Sequence, residues 1–220
     1  MEYDTILIDY DGTLADTYDL VMRSWKYMIH EITGGEADEK VLSERYGEPV
    51  SRTVRDFVPS GKEDEGVKIY RRFQEDRYPR EIDLYPGAKK TLEYLKDKGC
   101  LLGLTTSRLA QTTLIGLEYF GITDMFGAIV TADDTEKFKP DPEPLLLTLS
   151  KLGSDPSRAL MIGDSDYDLL AARNAGMAFC LVAWSHSITP ALRTGDFTPD
   201  MVMNDWRELP GLIGLKYCDL

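Results

Sequence analysis

Short continuous apolar runs alternate with helix-length segments along most of this 220-residue chain. From Leu84 onward the runs are Leu101 to Thr105, Ala128 to Thr131, Ala159 to Ile162 and Ala178 to Ala183. Another run, Thr5 to Ile8, lies alone near the N-terminus. Strands that are apolar throughout are typical of parallel sheets that helices cover on both faces. The pattern therefore predicts an α/β fold with a Rossmann-like parallel sheet.

Proline and glycine mark the ends of the helices between these runs, since proline fits the first turn of a helix and glycine the position after its last. The predicted helices run from Pro86 to Gly99, from Pro142 to Gly153, and from Asp166 to Asn174 with Gly176 beyond. Residues 15–82 contain no convincing strand, and their predicted helices are Asp16 to Ile32, Glu39 to Tyr46, Val50 to Phe57 and Lys62 to Tyr78. We therefore expect a core domain of residues 1–14 and 83–220 with an inserted helical domain of residues 15–82.

Composition narrows the class of protein. Hydrophobic residues make up 43% of the chain and charged residues 29%, a balance that supports a core without cross-links. A formal net charge of −13 argues against binding to nucleic acid or to anionic membranes. The apolar runs are too short for a membrane span, and the N-terminus lacks the basic start of a signal peptide. With three cysteines and no C-x-x-C spacing, we expect a protein of the reducing cytoplasm. A monomer and a homodimer both remain open, because no sequence feature separates an exposed apolar interface from the core.

Two acidic clusters follow predicted strands. Asp9 and Asp11 come at the end of the first strand, where Gly12 lets the chain turn away. Asp164 and Asp168 follow a later strand and lie four residues apart at the start of a helix. Taken alone, each cluster has an ordinary interpretation: solvated acids in a turn for the first and a helix N-cap for the second.

Together the two clusters predict a metal site. The carboxyl ends of parallel strands meet at one edge of the sheet, where ligands bind. Carboxylates that converge there repel one another unless a cation lies among them. Oxygen ligands favour Mg²⁺ over Zn²⁺, and the two histidines, His30 and His186, are interpreted as structural.

Two further segments could bind an anion at the same edge. Thr106 and the backbone amide of Ser107 follow the strand that begins at Leu101, although in isolation ordinary turn chemistry is the better explanation for them. Lys139 stands before three closely spaced prolines, which stiffen the approach to a helix. It would supply the local positive charge that an acidic protein needs in order to handle phosphate.

In this order and spacing, the four segments resemble the motifs of the haloacid dehalogenase superfamily, specifically its phosphatases. The resembling motifs are Asp9-x-Asp11-Gly12-Thr13-Leu14, the Thr106 strand end, Lys139-Pro140-x-Pro142, and Gly163-Asp164-x-x-x-Asp168 with Ala171-Ala172-x-x-Ala175-Gly176. The inserted helices resemble the C1 cap of that family. Resemblance to its phosphoglycolate phosphatase and pyrophosphatase-like branch rests on Asp16-Thr17, Gly47-x-Pro49 and Tyr85-Pro86-Gly87.

The resemblance implies a Mg²⁺-dependent phosphoric monoester hydrolase that acts on a small phosphorylated metabolite through an aspartyl phosphate. Asp9 would be the nucleophile, and Asp11 the general acid and then the general base. The side chains of Asp9 and Asp164 and the backbone carbonyl of Asp11 would hold Mg²⁺, with Asp168 orienting them from behind. Three groups would bind the transferred phosphoryl oxygens: Lys139, Thr106 and the Ser107 amide.

Other activities remain open at this point. A phosphomutase would use Asp9 and Asp11 in the same way, but such mutases carry a cap arginine soon after a loop glycine, and here the first arginine after Gly47 is Arg52. Dehalogenases of the family lack an acid at the position of Asp11, because displacing a halide needs neither a proton donor nor a metal. A phospho-accepting signal receiver carries its acceptor after the third strand, which this chain does not match.

The substrate is not predicted. Phosphoglycolate, pyrophosphate, a nucleoside monophosphate and a sugar phosphate all fit the motifs. Candidate contacts in the inserted helices are Arg23, Arg45, Arg52 and Arg55, although arginines on helices are more often solvated than bound to a ligand.

Overall fold

A computed structural model describes residues 3–75, 77–186 and 198–215. The strands are β1 (Thr5–Ile8), β2 (Ala15–Asp16), β3 (Asp83–Leu84), β4 (Leu101–Thr105), β5 (Ala128–Val130), β6 (Ala159–Gly163), β7 (Ala178–Val182) and β8 (Met201–Met203). The α-helices are α1 (Tyr18–Thr33), α2 (Glu39–Ser43), α3 (Val50–Phe57), α4 (Glu63–Glu75), α5 (Ala88–Asp97), α6 (Ala110–Phe120), α7 (Glu143–Leu152), α8 (Asp166–Ala175) and α9 (Leu209–Leu212). Short 3₁₀ turns occupy Thr123–Met125, Pro156–Arg158 and Trp206–Glu208.

The main sheet has six parallel strands in the order β5-β4-β1-β6-β7-β8, which confirms the predicted α/β class. In the centre, Ile8 of β1 lies beside Leu104 of β4 and Ile162 of β6. After β1, the chain forms β4 and β5 on one side of β1 and then β6, β7 and β8 on the other side. The order of strands therefore reverses at β1, and ligands bind at such reversals in open parallel sheets.

Apolar residues of β1 point to both faces of the sheet. Ile6 and Ile8 belong to the apolar cluster beneath α5, α6 and the C-terminal segment, whereas Leu7 belongs to the cluster beneath α7 and α8. Trp206 is fully buried in the first cluster, and its indole N–H donates to the carbonyl of Thr13 at 3.2 Å. Helices thus cover both faces, as the continuous apolar strands predict.

Helices α1 to α4 form a separate helical segment with its own apolar cluster, which includes Trp25, Met28, Val54 and Tyr70. Helix α1 packs along α4, and α3 also packs on α4. The segment is joined to the sheet by a short antiparallel ribbon of β2 and β3, in which Ala15 lies opposite Leu84.

Most predicted helices are present, with ends shifted by a few residues. Those that begin after Pro86 and Pro142 and the one that ends before Gly176 are confirmed. Helix α6 and strand β8 were not predicted, nor was the β2–β3 ribbon, which places a two-residue strand at the start of residues 15–82. Cys100 and Cys180 are both buried, and Cys218 lies outside the described residues. None of the described helices combines the length and the apolar character that crossing a membrane requires.

Candidate active site

The end of β1 carries Asp9 to the edge of the sheet. The Asp9 amide donates to the carbonyl of Ile162 at 3.0 Å, so the ladder with β6 continues to this residue. Gly12 follows with φ of +75°, and a Cβ there would lie 2.3 Å from Oδ2 of Asp164. Only glycine allows the first loop to pass this close to the end of β6.

The end of β6 and the start of α8 supply two more acids. Ser165 is the N-cap of α8, and the Asp168 carboxylate accepts from the Ser165 amide at 3.2 Å and from its hydroxyl at 2.6 Å. The N-cap interpretation of this segment is therefore correct for Ser165, while Asp164 and Asp168 also lie within reach of Asp9. Asp164 is buried and accepts from the Ser185 hydroxyl at 2.5 Å.

Lys139 lies between acids from two different strand ends. Its Nζ is 2.7 Å from Oδ1 of Asp9 and 2.5 Å from Oδ1 of Asp168, and the side chain is almost completely buried. Burial lowers the pKa of Lys139, but the carboxylates of Asp168 and Asp9 outweigh that effect and raise it. Lys139 is therefore charged at neutral pH.

The acids around Lys139 carry more negative charge than one ammonium group can balance. Burial raises the pKa of Asp9, the Lys139 ammonium opposes this, and the neighbouring Asp168 adds to it. Burial likewise raises the pKa of Asp164, and the carboxylates of Asp168 and Asp9 raise it further. A divalent cation would relieve both penalties.

The donor atoms fit Mg²⁺. One carboxylate oxygen from each of Asp9, Asp164 and Asp168 lies within 4.8 Å of the others, and all three residues are buried. The group contains oxygen donors alone, which is the chemistry that Mg²⁺ prefers. Asp168 already accepts from Lys139 and Ser165 through its two oxygens, so Asp9 and Asp164 keep more capacity for a metal ion.

Asp11 faces away from this cluster. Its carboxylate accepts from the Thr17 hydroxyl at 2.6 Å and from Nε of Arg108 at 3.2 Å. Thr106 is buried at the end of β4, where its hydroxyl accepts from the Arg108 amide at 3.1 Å. The structure therefore brings Asp9, Asp164, Asp168 and Lys139 together, while Asp11 contacts Thr17 and Arg108.

A cavity of about 70 Å³ separates the strand ends from the helical segment. From the sheet side its wall includes Asp9, Asp11, Thr106, Ser107 and Arg108. From the helical side it includes Trp25, Arg45, Tyr46, Glu48, Tyr70, Arg71 and Gln74. Neither His30 nor His186 belongs to this wall, and His186 instead stacks on Tyr18 with ring centroids 4.1 Å apart.

Arg108 was missed from sequence. Its guanidinium is buried, with Nη2 3.2 Å from Oδ1 of Asp11 and Nη1 donating to Oε1 of Gln74 at 2.9 Å. It also lies over the ring of Tyr78 at 4.9 Å. Arg108 thus links the end of β4 to α4. Its place directly after Thr106 and Ser107 was a signal, because a cation beside an anion-binding turn is a candidate ligand contact.

A second link between sheet and helical segment comes from Glu48, in the loop before α3. Its side chain is buried, and Oε1 accepts from the Tyr167 hydroxyl of α8 at 2.5 Å. Sequence gives no signal for this pair, because the two residues are 119 positions apart.

The four predicted arginines lie in different places. Arg45 lines the cavity, whereas Arg52 lies 6.0 Å above the Tyr167 ring. Arg23 pairs with Glu81 at 2.5 Å on the exposed surface, and Arg55 is exposed.

Comparison with known proteins agrees with this geometry. Residues 6–182 match the family described as haloacid dehalogenase-like hydrolase. The chain is 35% identical to pyrophosphatase PpaX of Bacillus velezensis over 211 residues, which cover 96% of each chain, and 33% identical to pyrophosphatase PpaX of Bacillus pumilus, again covering 96% of each. It also resembles the crystal structure of a predicted phosphoglycolate phosphatase from Haemophilus somnus, with a TM-score of 0.85 and 23% identity over 96% of this chain and 98% of that one.

The family match covers more than half of the chain, and the relatives share its sequence over nearly their whole length. The parallel sheet, the reversal of strand order at β1 and the acids at the strand ends are consistent with that relationship. On these grounds the chain is an enzyme that belongs to the haloacid dehalogenase-like hydrolase family.

Proposed function

We propose that this hydrolase is a Mg²⁺-dependent phosphatase that releases phosphate from a small phosphorylated metabolite through an aspartyl phosphate on Asp9. The observation that carries the proposal is the buried Asp9 carboxylate in the cavity wall. One of its oxygens is 2.7 Å from the Lys139 ammonium, and it lies within reach of Asp164. A nucleophilic carboxylate needs a positive group beside it, such as the Lys139 ammonium, when it approaches an anionic phosphoryl group.

In the first half of the reaction, a carboxylate oxygen of Asp9 attacks phosphorus, and the bond from phosphorus to the leaving oxygen breaks. Asp11 also lines the cavity, and its carboxyl group gives the proton that the leaving oxygen needs. The Thr17 hydroxyl, 2.6 Å away, and the Arg108 guanidinium hold the Asp11 side chain in place.

In the second half, Asp11 takes a proton from water, whose oxygen attacks phosphorus. The bond between phosphorus and the Asp9 oxygen then breaks. Orthophosphate leaves, and the Asp9 carboxylate is restored.

One positive group and two neutral hydrogen-bond donors stabilise the charge that develops on the transferred phosphoryl group. We assign this task to Lys139, the Thr106 hydroxyl and the Ser107 amide. The side chains of Asp9 and Asp164 and the Asp11 backbone carbonyl would hold Mg²⁺, which supplies further positive charge when bound. Asp168 would hold Lys139 in position.

The inserted segment, residues 15–82, acts in this proposal as a cap that keeps water from the site. With the cap as it lies here, the cavity is about 70 Å³, below the ~300–1,000 Å³ typical of pockets for drug-sized ligands. This favours pyrophosphate or phosphoglycolate over a nucleoside monophosphate. The names of the relatives support the same choice.

Two substitutions test the mechanism. Asp9→Asn removes the nucleophile and Asp11→Ala removes the proton donor, so each should abolish Mg²⁺-dependent phosphate release while circular dichroism stays like wild type. Turnover of Asp9→Asn within about tenfold of wild type would remove Asp9 from its assigned role.

A further inference from the structure

Three arginines line the cavity within the described part of the chain, and they differ in how their charge is balanced. Arg108 pairs with Asp11, and Arg45 pairs with Asp56 at 3.0 Å and with Glu48 at 3.4 Å. Arg71 makes no hydrogen bond or ion pair with any residue that the structure describes. Its guanidinium is therefore the cavity cation with the most capacity to bind an anion.

Helix α4 aims Arg71 at the cavity. Gln74, three residues later, lies on the same face of the helix and accepts from Arg108 inside the wall. Tyr70, on the same turn as Arg71, is also part of the wall. Arg72, the next residue along the helix, is exposed like Arg71 but does not line the cavity.

The position of Asp9 decides which part of a substrate meets Arg71. Lys139 and Asp168 pack against Asp9 and are not part of the cavity wall, so they close one side of the nucleophile. A substrate whose phosphorus reaches Asp9 must extend its remaining atoms into the cavity, between the strand ends and α4. The leaving portion therefore lies nearest to the cap.

We infer that Arg71 is a specificity-determining residue that binds an anionic leaving portion of the substrate, such as the second phosphate of pyrophosphate or the carboxylate of phosphoglycolate. This inference rests on the proposed phosphatase function. A guanidinium suits phosphate and carboxylate because its paired N–H groups match two oxygens of either group. An uncharged leaving group would gain little from it.

The test compares substrates that differ in the charge of the leaving portion. Values of kcat and KM are measured for pyrophosphate, phosphoglycolate and p-nitrophenyl phosphate at constant free Mg²⁺, with wild type, Arg71→Met, Arg71→Lys and the matched control Arg72→Met. For Arg71→Met, kcat/KM should fall about tenfold for both anionic substrates, mainly through KM, as expected when a charge-assisted hydrogen bond is lost. Values for p-nitrophenyl phosphate should change less than about twofold, and Arg71→Lys should recover part of the loss.

Ionic strength gives a second measurement. Salt should reduce kcat/KM for pyrophosphate more in wild type than in Arg71→Met, because salt screens an exposed charge.

Three results would overturn the inference: equal losses for charged and uncharged leaving groups, no loss for either anionic substrate, or the same selective loss in Arg72→Met. Failure of the proposed function would look different, because wild type itself would then show no Mg²⁺-dependent phosphate release from any of the three substrates.

Discussion

Lys139 shows how a single side chain organises the charges of the site. Its ammonium group lies 2.7 Å from Asp9, which follows β1, and 2.5 Å from Asp168, in the first turn of α8. Buried charges are tolerated only when they are paired, since transfer from water is costly. The lysine therefore contributes to stability as well as to the proposed chemistry.

Substituting Lys139 with methionine keeps the length of the side chain but leaves two buried carboxylates without their cation. We expect the free energy of unfolding to fall by about 3 kcal/mol, near the lower limit for breaking a buried pair, because burial already raises the pKa of Asp9 and lets it bind a proton. Urea denaturation at neutral pH measures the change.

The control for this substitution is Lys137→Met. Lys137 pairs with Asp141 at 3.3 Å, but its side chain is 68% exposed, so the free energy of unfolding should change by less than about 1 kcal/mol. An equal decrease in the free energy of unfolding in the two variants would show that burial does not increase the contribution of Lys139 to stability.

At the residue level, sequence predicted the acids, Lys139, Thr106 and Ser107, because each directly follows or precedes a recognisable strand or helix end. It did not predict Arg108, Gln74 or Glu48. Their relevance depends on how the helical segment docks on the strand ends, and no local pattern encodes that docking.

Hydrogen bonds from α4 and from the loop before α3 help to tie the helical segment to the sheet domain. Gln74 of α4 accepts from Arg108, and Glu48, before α3, accepts from Tyr167 of α8. Within the described residues, the second bond joins the cap directly to the helix that begins beside the proposed metal ligands. Its loss should loosen the cap without unfolding the protein.

Tyr167→Phe removes the hydroxyl and leaves the ring in place for Arg52. Glu48 would retain weaker contacts with Arg45 and Thr53, each at 3.4 Å. We expect KM for the preferred substrate to rise about threefold to thirtyfold, because an open cap is favoured when a buried hydrogen bond is lost.

The matched control is Tyr119→Phe, on the exposed surface of α6. Steady-state kinetics should show no change for that variant. An unaltered KM in Tyr167→Phe would show that the Glu48 contact does not hold the cap.

Element boundaries were predicted best where glycine or proline marks them. Helix α7 ends at Gly153 and α8 ends at Gly176, both with left-handed backbone at the cap. Helix α6 was missed, because its apolar residues do not fall on one clear face and residues such as Leu114 and Tyr119 are exposed. Strand β8 has three residues, too few for a periodic signal.

Binding of a divalent cation should stabilise the whole folded protein. Burial and the neighbouring acids raise the pKa of Asp164, which means that its ionised form costs free energy while no cation is near. A ligand that binds only the folded state stabilises it by mass action. Mg²⁺ should therefore raise the melting temperature of the wild-type protein.

The substitution Asp164→Asn separates the cost of the buried Asp164 carboxylate from the stabilisation by Mg²⁺. Without Mg²⁺ this variant should melt at or above the wild-type temperature, since one buried carboxylate is gone, and adding Mg²⁺ should then raise its melting temperature little or not at all. Differential scanning fluorimetry with and without EDTA measures both. A full Mg²⁺ response in the variant would exclude Asp164 as a ligand.

The overall architecture was predictable because buried parallel strands have a distinctive apolar pattern, and because acids at strand ends must meet at one edge. The size and shape of the cavity were not predictable. They depend on how Trp25, Tyr46 and Tyr70 pack above the sheet, and helical periodicity alone leaves that arrangement undetermined.

The β2–β3 ribbon brings the two ends of the helical segment side by side, with Ala15 opposite Leu84. An exchange of everything between those two residues would leave the pairing of β1 with β4 and β6 untouched, whatever the length of the replacement. Under the proposed mechanism, such an exchange would change which substrates reach the site while Asp9 keeps its place at the end of β1. A protein engineer could graft a foreign lid at the same junction.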